Sequence, residues 1–391
     1  MSIPVRPFRG PSRVWYGDGA AGRIGECVAE LGIAPGAALL VTDAAVDRFG
    51  LAGGVAGGLT AAGFTLERFA DIPGEPTAEV VDRAAAVARR LTPALVCAVG
   101  GGSVMDTAKL AAALARNPGG VIDYTTRVGR QFTAPSVPTI LVPTTAGTGA
   151  EASQNAVITH GGRKAFANSH PHLLAAGVLV DPRLTHSLPK PVTAHTGLDA
   201  LSHCVEGMLS SGATPMTDIT GAAGIGLIMD ALPRAYADGG DAAARAQMSL
   251  AAYLGGLTLN AGMVLGHSIA YTLANRLHLP HGFSCALALP YAMAYSRDAA
   301  AERLSRIGGA AGAGPAPGGD AVRRVQTLGL EVGIPEALRS LGLERAQLPE
   351  CVDECLAEYP RPNNPRPLAG EPLLSLYTAM WEGRPADAWR G

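Results

Sequence analysis

Charge is scarce in this chain and neither sign dominates: 16% of residues are Asp, Glu, Lys or Arg, and the formal net charge is −2. Such a balance offers no basic surface to nucleic acid or to an anionic bilayer, so neither is expected as a partner. Lysine is nearly missing, with only Lys109, Lys164 and Lys190 among 31 basic residues. Long apolar runs are missing too. Mean hydropathy is positive, yet runs such as Leu173 to Val180 fall far short of the roughly 20 residues a spanning helix needs. Abundant Ala and Gly account for the hydropathy. The opening residues, Met1-Ser-Ile-Pro-Val-Arg-Pro-Phe-Arg-Gly10, hold no apolar core of leader length, and a cytoplasmic location is expected. The six cysteines form no paired framework, which suits a reducing compartment. Cys351 and Cys355 could share a helical face but are too few for a metal site by themselves.

What the chain does have is alternation. At 391 residues it is long enough for two domains and a large core. Short apolar runs at Val14–Tyr16, Ala37–Val41, Phe64–Phe69, Ala94–Val99, Thr139–Val142 and Gly177–Val180 read as strands, separated by Gly-rich and Ala-rich stretches, several of helical pattern. Ala37–Val41 and Ala94–Val99 have the unbroken apolar character of buried parallel strands. After Asp181-Pro182 the strands cease and Ala/Leu-rich helical patterns run on. The expected architecture is a doubly wound α/β dinucleotide-binding domain over residues 1–182, followed by an all-helical domain over residues 183–391.

Three places in the front half suit a dinucleotide. The strand at 94–99 runs into Gly100-Gly-Gly-Ser-Val-Met-Asp106 and an amphipathic helix. Glycines leave room for a pyrophosphate beside free N–H groups and the positive end of a helix, although they serve tight turns equally well. The spacing is not G-x-G-x-x-G. The strand at 139–142 leads into Pro143-Thr-Thr-Ala-Gly-Thr-Gly-Ala-Glu-Ala-Ser153, whose hydroxyls suit a phosphate and nicotinamide cradle or a helix-capping turn. Asp43 follows the strand at 37–41, where a nucleotide-binding sheet places a ribose acceptor and where a helix N-cap also belongs.

The back half carries Asp199, His203, His267 and His281. Asp199, His203 and Glu206 share one stripe of a helix, within roughly 60° of one another at about 100° per residue. Leu201, Cys204, Val205 and Met208 cover its opposite side. His267 lies on a second helical stretch, and His281 follows at a Leu-Pro-His-Gly turn. Three imidazoles and a carboxylate suit Fe(II), Zn(II) or a similar divalent ion. His195 precedes Gly197 outside the stripe and reads as a loop or capping residue.

The run Gly197-Leu-Asp-Ala-Leu-Ser-His-Cys-Val-Glu-Gly207, the run Gly266–Gly282 and the Gly-Gly-Gly-Ser-x-x-Asp signature resemble segments of the iron-containing (group III) alcohol dehydrogenases. That family includes lactaldehyde reductase and maleylacetate reductase, and the resemblance covers nearly the whole chain. One departure stands out. The family often has a second His four residues after the ligand matching His267, and this chain has Tyr271.

The resemblance implies the dehydroquinate synthase-like fold of that family and a homodimer. It implies metal ligation by Asp199, His203, His267 and His281, with Fe(II) favoured and Zn(II) possible. It implies coenzyme contacts at Gly100, Gly101, Gly102, Ser103, Asp106, Thr144, Thr145, Thr148 and Lys164. In the family the position of Asp43 meets the adenosine ribose, and a carboxylate there disfavours the 2′-phosphate of NADP(H), so NAD(H) is expected.

The reaction implied is NAD(P)H-linked hydride transfer between a small aldehyde and its primary alcohol, with the ion as Lewis acid. The catalytic residues expected are His267 and Tyr271. Tyr271 lies one turn from His267 and could orient the substrate or pass a proton, although a phenol of ordinary pKa near 10 is a poor acid–base at neutral pH and a structural hydroxyl stays open. The Tyr271 pattern resembles the phosphonoacetaldehyde reductase branch, implying an aldehyde with an anionic tail. Maleylacetate reductase is the nearest alternative, and a dehydroquinate synthase-like lyase is the alternative of another class.

Overall fold

The computed structural model of the chain describes residues 5–312, 319–386 and 389. The chain divides into two compact units, Arg9–Ser187 and the part from Leu188 onward, which residues 5–8 join. The changeover falls a few residues beyond Asp181–Pro182. The turn at Pro182–Thr185 stays with the sheet because Asp181 accepts from the Arg183 amide at 3.2 Å and from the Ala21 amide at 3.3 Å.

The first unit is built on eight strands: β1 (Arg13–Tyr16), β2 (Ala37–Val41), β3 (Thr65–Phe69), β4 (Leu95–Gly100), β5 (Thr139–Pro143), β6 (Val157–His160), β7 (Arg163–Phe166) and β8 (Gly177–Val180). Six of them form one sheet in the order β1-β8-β5-β4-β2-β3, all parallel. Helices cover both faces, so the central strands must be apolar on both sides, and every residue of β4 and β5 is buried. One face packs α1 (Ile24–Glu30) and α3 (Gly53–Ala61) through Ile24, Cys27, Val55 and Leu59 onto Leu40, Cys97, Val99 and Ile140. Between these two helices runs the short α2 (Ala44–Arg48). The other face carries α4 (Ala78–Leu91) and α5 (Gly102–Leu114), which share a core of Ala78, Val81, Ala85, Leu110 and Leu114.

Strand order fixes where a ligand can sit. From β2 the chain moves outward to β3, then returns to lay β4 on the other side of β2. The carboxyl ends of β2 and β4 therefore flank the point where the order reverses, the usual ligand crevice of an open parallel sheet. β6 and β7 stand apart as an antiparallel hairpin turning at Gly161 and Gly162, both with positive φ.

The second unit is helical, with no strand among the described residues. Its helices are α6 (Lys190–Leu209), α7 (Pro215–Ala237), α8 (Ala242–Thr258), α9 (Leu265–Leu277), α10 (His281–Tyr295), α11 (Ala301–Ala310), α12 (Gly319–Glu331), α13 (Leu348–Glu358) and α14 (Gly370–Glu382). Buried α6 is the axis, and α7, α8 and α10 lie against it. A short 3₁₀ turn extends α8 to Ala261, and the chain then bends by 108° into α9. No single helix among the described residues is long and apolar enough to cross a membrane.

Candidate metal centre and coenzyme loop

From Gly197 to Leu209 every residue of α6 is buried, so the polar stripe of Asp199, His203 and Glu206 faces protein and not solvent. A buried carboxylate needs partners. Glu206 finds three: its Oε2 accepts from the Val264 and His267 amides at 2.9 and 3.2 Å, and its Oε1 lies 2.6 Å from His267 Nδ1. The first two bonds satisfy amides at the start of α9, which has no side-chain cap of its own. Asn364 adds a third, accepting from Leu265 N at 3.1 Å. Close approach is possible because residue 266 is glycine: a Cβ there would lie 2.5 Å from Glu206 Oε1.

The bond from Glu206 to Nδ1 fixes the imidazole of His267 and leaves its Nε2 as the lone-pair nitrogen. Nearby stand the other donors. His203 Nε2 is 3.7 Å and His281 Nε2 is 3.6 Å from Asp199 Oδ1. The rings of His203 and His267 stack with centroids 5.0 Å apart. Asp199 Oδ1 is buried without a hydrogen-bond partner among the described residues. Distances of 3.6–3.7 Å are too long for hydrogen bonds but match ligand atoms sharing one ion, which at about 2.0–2.2 Å bond lengths stand roughly 3–4 Å apart. An orphaned buried carboxylate oxygen among imidazoles is therefore suited to a divalent cation. Burial alone would push the Asp199 carboxyl up, but His203, His281, His267 and Cys285 together hold it below the usual carboxylate range.

His281 is the first residue of α10, with Pro280 as N-cap, and not part of a free turn. Gly282 lets that helix start press onto α6: a Cβ there would overlap the carbonyl of His195. His195 itself lies within α6 and not in a loop, because Pro189 starts the helix at Lys190; its ring stands edge-on to Phe283 at 5.0 Å.

Tyr271 faces the same donors. It stacks on His281 with centroids 5.2 Å apart, meets His267 edge-on at 5.7 Å, and has the Arg361 guanidinium 5.9 Å from its ring centroid. Burial pushes its phenol well above the ordinary value, with Arg361 opposing, so the hydroxyl keeps its proton throughout the neutral range.

In the first unit, α5 begins at Gly102 with no side chain capping it. The threonines after β5 close on the glycines: a Cβ at Gly102 would lie 2.6 Å from Thr148 Cγ2, and one at Gly101 would lie 3.4 Å from Thr145 Cγ2. The Thr144 amide donates to Gly100 O at 3.0 Å. Gly100–Ser103 and Thr144–Thr148 thus form one interlocked surface at the carboxyl ends of β4 and β5. Asp43, across the switch point, caps α2, with Oδ1 accepting from Ala45 N and Val46 N at 2.8 and 2.9 Å. Asp106 is turned inward, where it accepts from Val157 N at 3.0 Å and pairs with Lys109 at 2.9 Å. Lys164 sits on β7, bonded to Glu75 and 3.5 Å from Thr159 Oγ1.

Sequence reasoning passed over three features of these two regions. Cys285 lies in the donor cluster, with Sγ 3.6 Å from His281 Nε2. Glu206 was in the stripe, but its bond to His267 was not foreseen. Lys109 is fully buried and caged by the carbonyls of Ala150 and Asn155, a role readable only from a lone lysine in an apolar helix.

Both halves of the chain match one family. Residues 11–182 match "iron-containing alcohol dehydrogenase", and residues 193–381 match the C-terminal part of the Fe-containing alcohol dehydrogenase family. The chain belongs to the iron-containing alcohol dehydrogenases and is an oxidoreductase of that family. It is 36% identical to long-chain-alcohol dehydrogenase 1 of Geobacillus thermodenitrificans over 88% of this chain and 89% of that protein. Its fold superposes on 1,3-propanediol oxidoreductase with a TM-score of 0.91 at 29% identity, covering 97% of this chain and 100% of that one. It also superposes on sulfoacetaldehyde reductase of Bifidobacterium kashiwanohense, solved in complex with NAD+, with a TM-score of 0.86 at 28% identity over 96% and 99%.

Proposed function

We propose that the chain reduces a small aldehyde bearing an anionic tail to its primary alcohol, taking hydride from NADH, with one divalent cation held by Asp199, His203, His267 and His281. The observation that carries this reading is the convergence of those four side chains around a buried, unpartnered carboxylate oxygen, with Glu206 fixing the tautomer of His267. The bound ion would supply Lewis-acid polarisation of the carbonyl.

The chain's own groups do the rest. Gly100–Ser103 offer the uncapped start of α5 to the pyrophosphate, and the Thr144, Thr145 and Thr148 hydroxyls stand beside it. Both cap bonds of Asp43 use one oxygen, which leaves the other for the ribose hydroxyls and favours NAD(H). Tyr271, held neutral by burial, orients the substrate oxygen as a hydrogen-bond donor. Similarity to a sulfoacetaldehyde reductase supports the anionic tail, and Arg361 beside Tyr271 provides the matching cation.

The test compares NADH and NADPH oxidation on phosphonoacetaldehyde, sulfoacetaldehyde, maleylacetate, lactaldehyde and uncharged short aldehydes, using metal-stripped protein with Fe(II) or Zn(II) restored. We expect one NADH consumed per aldehyde and the highest kcat/KM on anionic two-carbon aldehydes. Equal rates on neutral aldehydes would remove the anionic tail from the reading, and turnover without net NADH loss would favour a lyase. Asp43→Ser keeps the cap but removes the charge, and should raise the NADPH-to-NADH ratio of kcat/KM.

A further inference from the structure

Among the described thiols, Cys285 has surroundings unlike the rest. Burial pushes Cys27, Cys204 and Cys355 up to about 12 and Cys351 up to about 11, which marks them as inert packing groups. Cys285 is equally buried but lies among donors. Its Sγ is 3.6 and 3.8 Å from the two ring nitrogens of His281 and 3.9 Å from His267 Nε2. Asp199, His267, His281 and Cys285 each present an atom within 4.8 Å of all the others.

We propose that Cys285 is a sulfur ligand of the resting ion, which makes the centre a mixed nitrogen, oxygen and sulfur site that holds zinc in preference to iron. The proposal rests on the metal centre described above and adds a ligand to it. His281 and Cys285 are four apart on α10, so the helix itself sets both donors on one face, one turn from each other. Charge argues the same way. A thiolate at Cys285 sets a second negative charge beside Asp199, directly at the dication. On metal binding the Sγ–H bond breaks, its proton leaves to solvent, and the sulfur pair forms the bond to the cation. A soft donor added to imidazole and carboxylate shifts preference from iron(II) toward zinc(II).

Cobalt(II) loaded into the metal-stripped whole protein reads this directly. The wild type should show d–d bands together with a near-ultraviolet thiolate-to-cobalt charge-transfer band. Cys285→Ser and Cys285→Ala should lose the charge-transfer band and keep the d–d bands. Cys204→Ala should keep both, because Cys204 Sγ packs toward Gly224 of α7 and Gly255 of α8. In competition with iron(II), the zinc preference of Cys285→Ala should drop by more than about tenfold, since even partners behind a ligand are worth 10–100-fold in affinity. A wild-type spectrum with d–d bands but no charge-transfer band overturns the proposal and leaves the metal centre standing, as does a charge-transfer band that survives in Cys285→Ala. A protein that takes up no cobalt at all removes the centre and the proposal together. Should a variant fail to fold by circular dichroism, the wild-type spectrum decides alone, because the other thiols are packed away from the donors.

Discussion

Glu206 and His267, 61 residues apart in sequence, meet at 2.6 Å inside the helical unit. The carboxylate holds one imidazole tautomer and at the same time caps the helix that carries it, so a proposed ligand and its support are a single construction. Glu206→Gln keeps the size but loses the charge, and metal affinity is expected to fall by about 10–100-fold. Chelator competition with zinc measures it. An unchanged dissociation constant would show that His267 is oriented by packing alone.

Tyr271 lies against two of the proposed ligands with its phenol raised far above the neutral range by burial. A group that never loses its proton can donate a hydrogen bond but cannot set an alkaline limb. Tyr271→Phe should therefore lower kcat/KM by about tenfold, the worth of one hydrogen bond of about 1.4 kcal/mol, and leave the pH profile in place. Stopped assays from pH 6 to 10 check this, and a displaced alkaline limb would return Tyr271 to the proton relay.

Glu151, after the threonine loop, is buried, and burial raises its carboxyl to about 7, with Lys109 drawing it down and Asp106 pushing it up. The same carboxyl titrates near 4.3 when unfolded. Between those values the folded state binds more protons than the unfolded one, so this group makes stability fall as pH rises, and above pH 7 its penalty is complete. Glu151→Gln should stabilise the protein at pH 8 by on the order of 3–4 kcal/mol and have little effect below pH 4. Denaturant unfolding at both pH values reads the difference, and an equal gap at each would disprove the linkage.

Much of this was legible because burial on two faces leaves a plain trace. β2 and β4 are unbroken apolar runs, and each is followed by the residue types that a strand end at a switch point requires. The pair Asp199 and His203 was legible because a helix places i and i+4 together. Cys285 was hidden by one element boundary. With Leu-Pro-His-Gly read as a turn, the thiol had no fixed relation to His281; once Pro280 is the cap and α10 starts at His281, the same i, i+4 rule applies to it. Gly161 and Gly162 mark the turn of the β6–β7 hairpin, but its four-residue strands are partly exposed and carry little pattern. The bonds of the Asn363-Asn364 pair to Ser210, Met263 and Leu265 leave no trace in the sequence, since they join segments far apart along the chain.

Gly282 gives the centre an uneven tolerance to sequence drift. Because the start of α10 touches α6 through bare backbone at the carbonyl of His195, any side chain at 282 must pry the two helices apart, while a change at residue 195 gives up the edge contact with Phe283 and leaves that carbonyl in place. Variant libraries across this contact should accept many residues on one side and a single residue on the other.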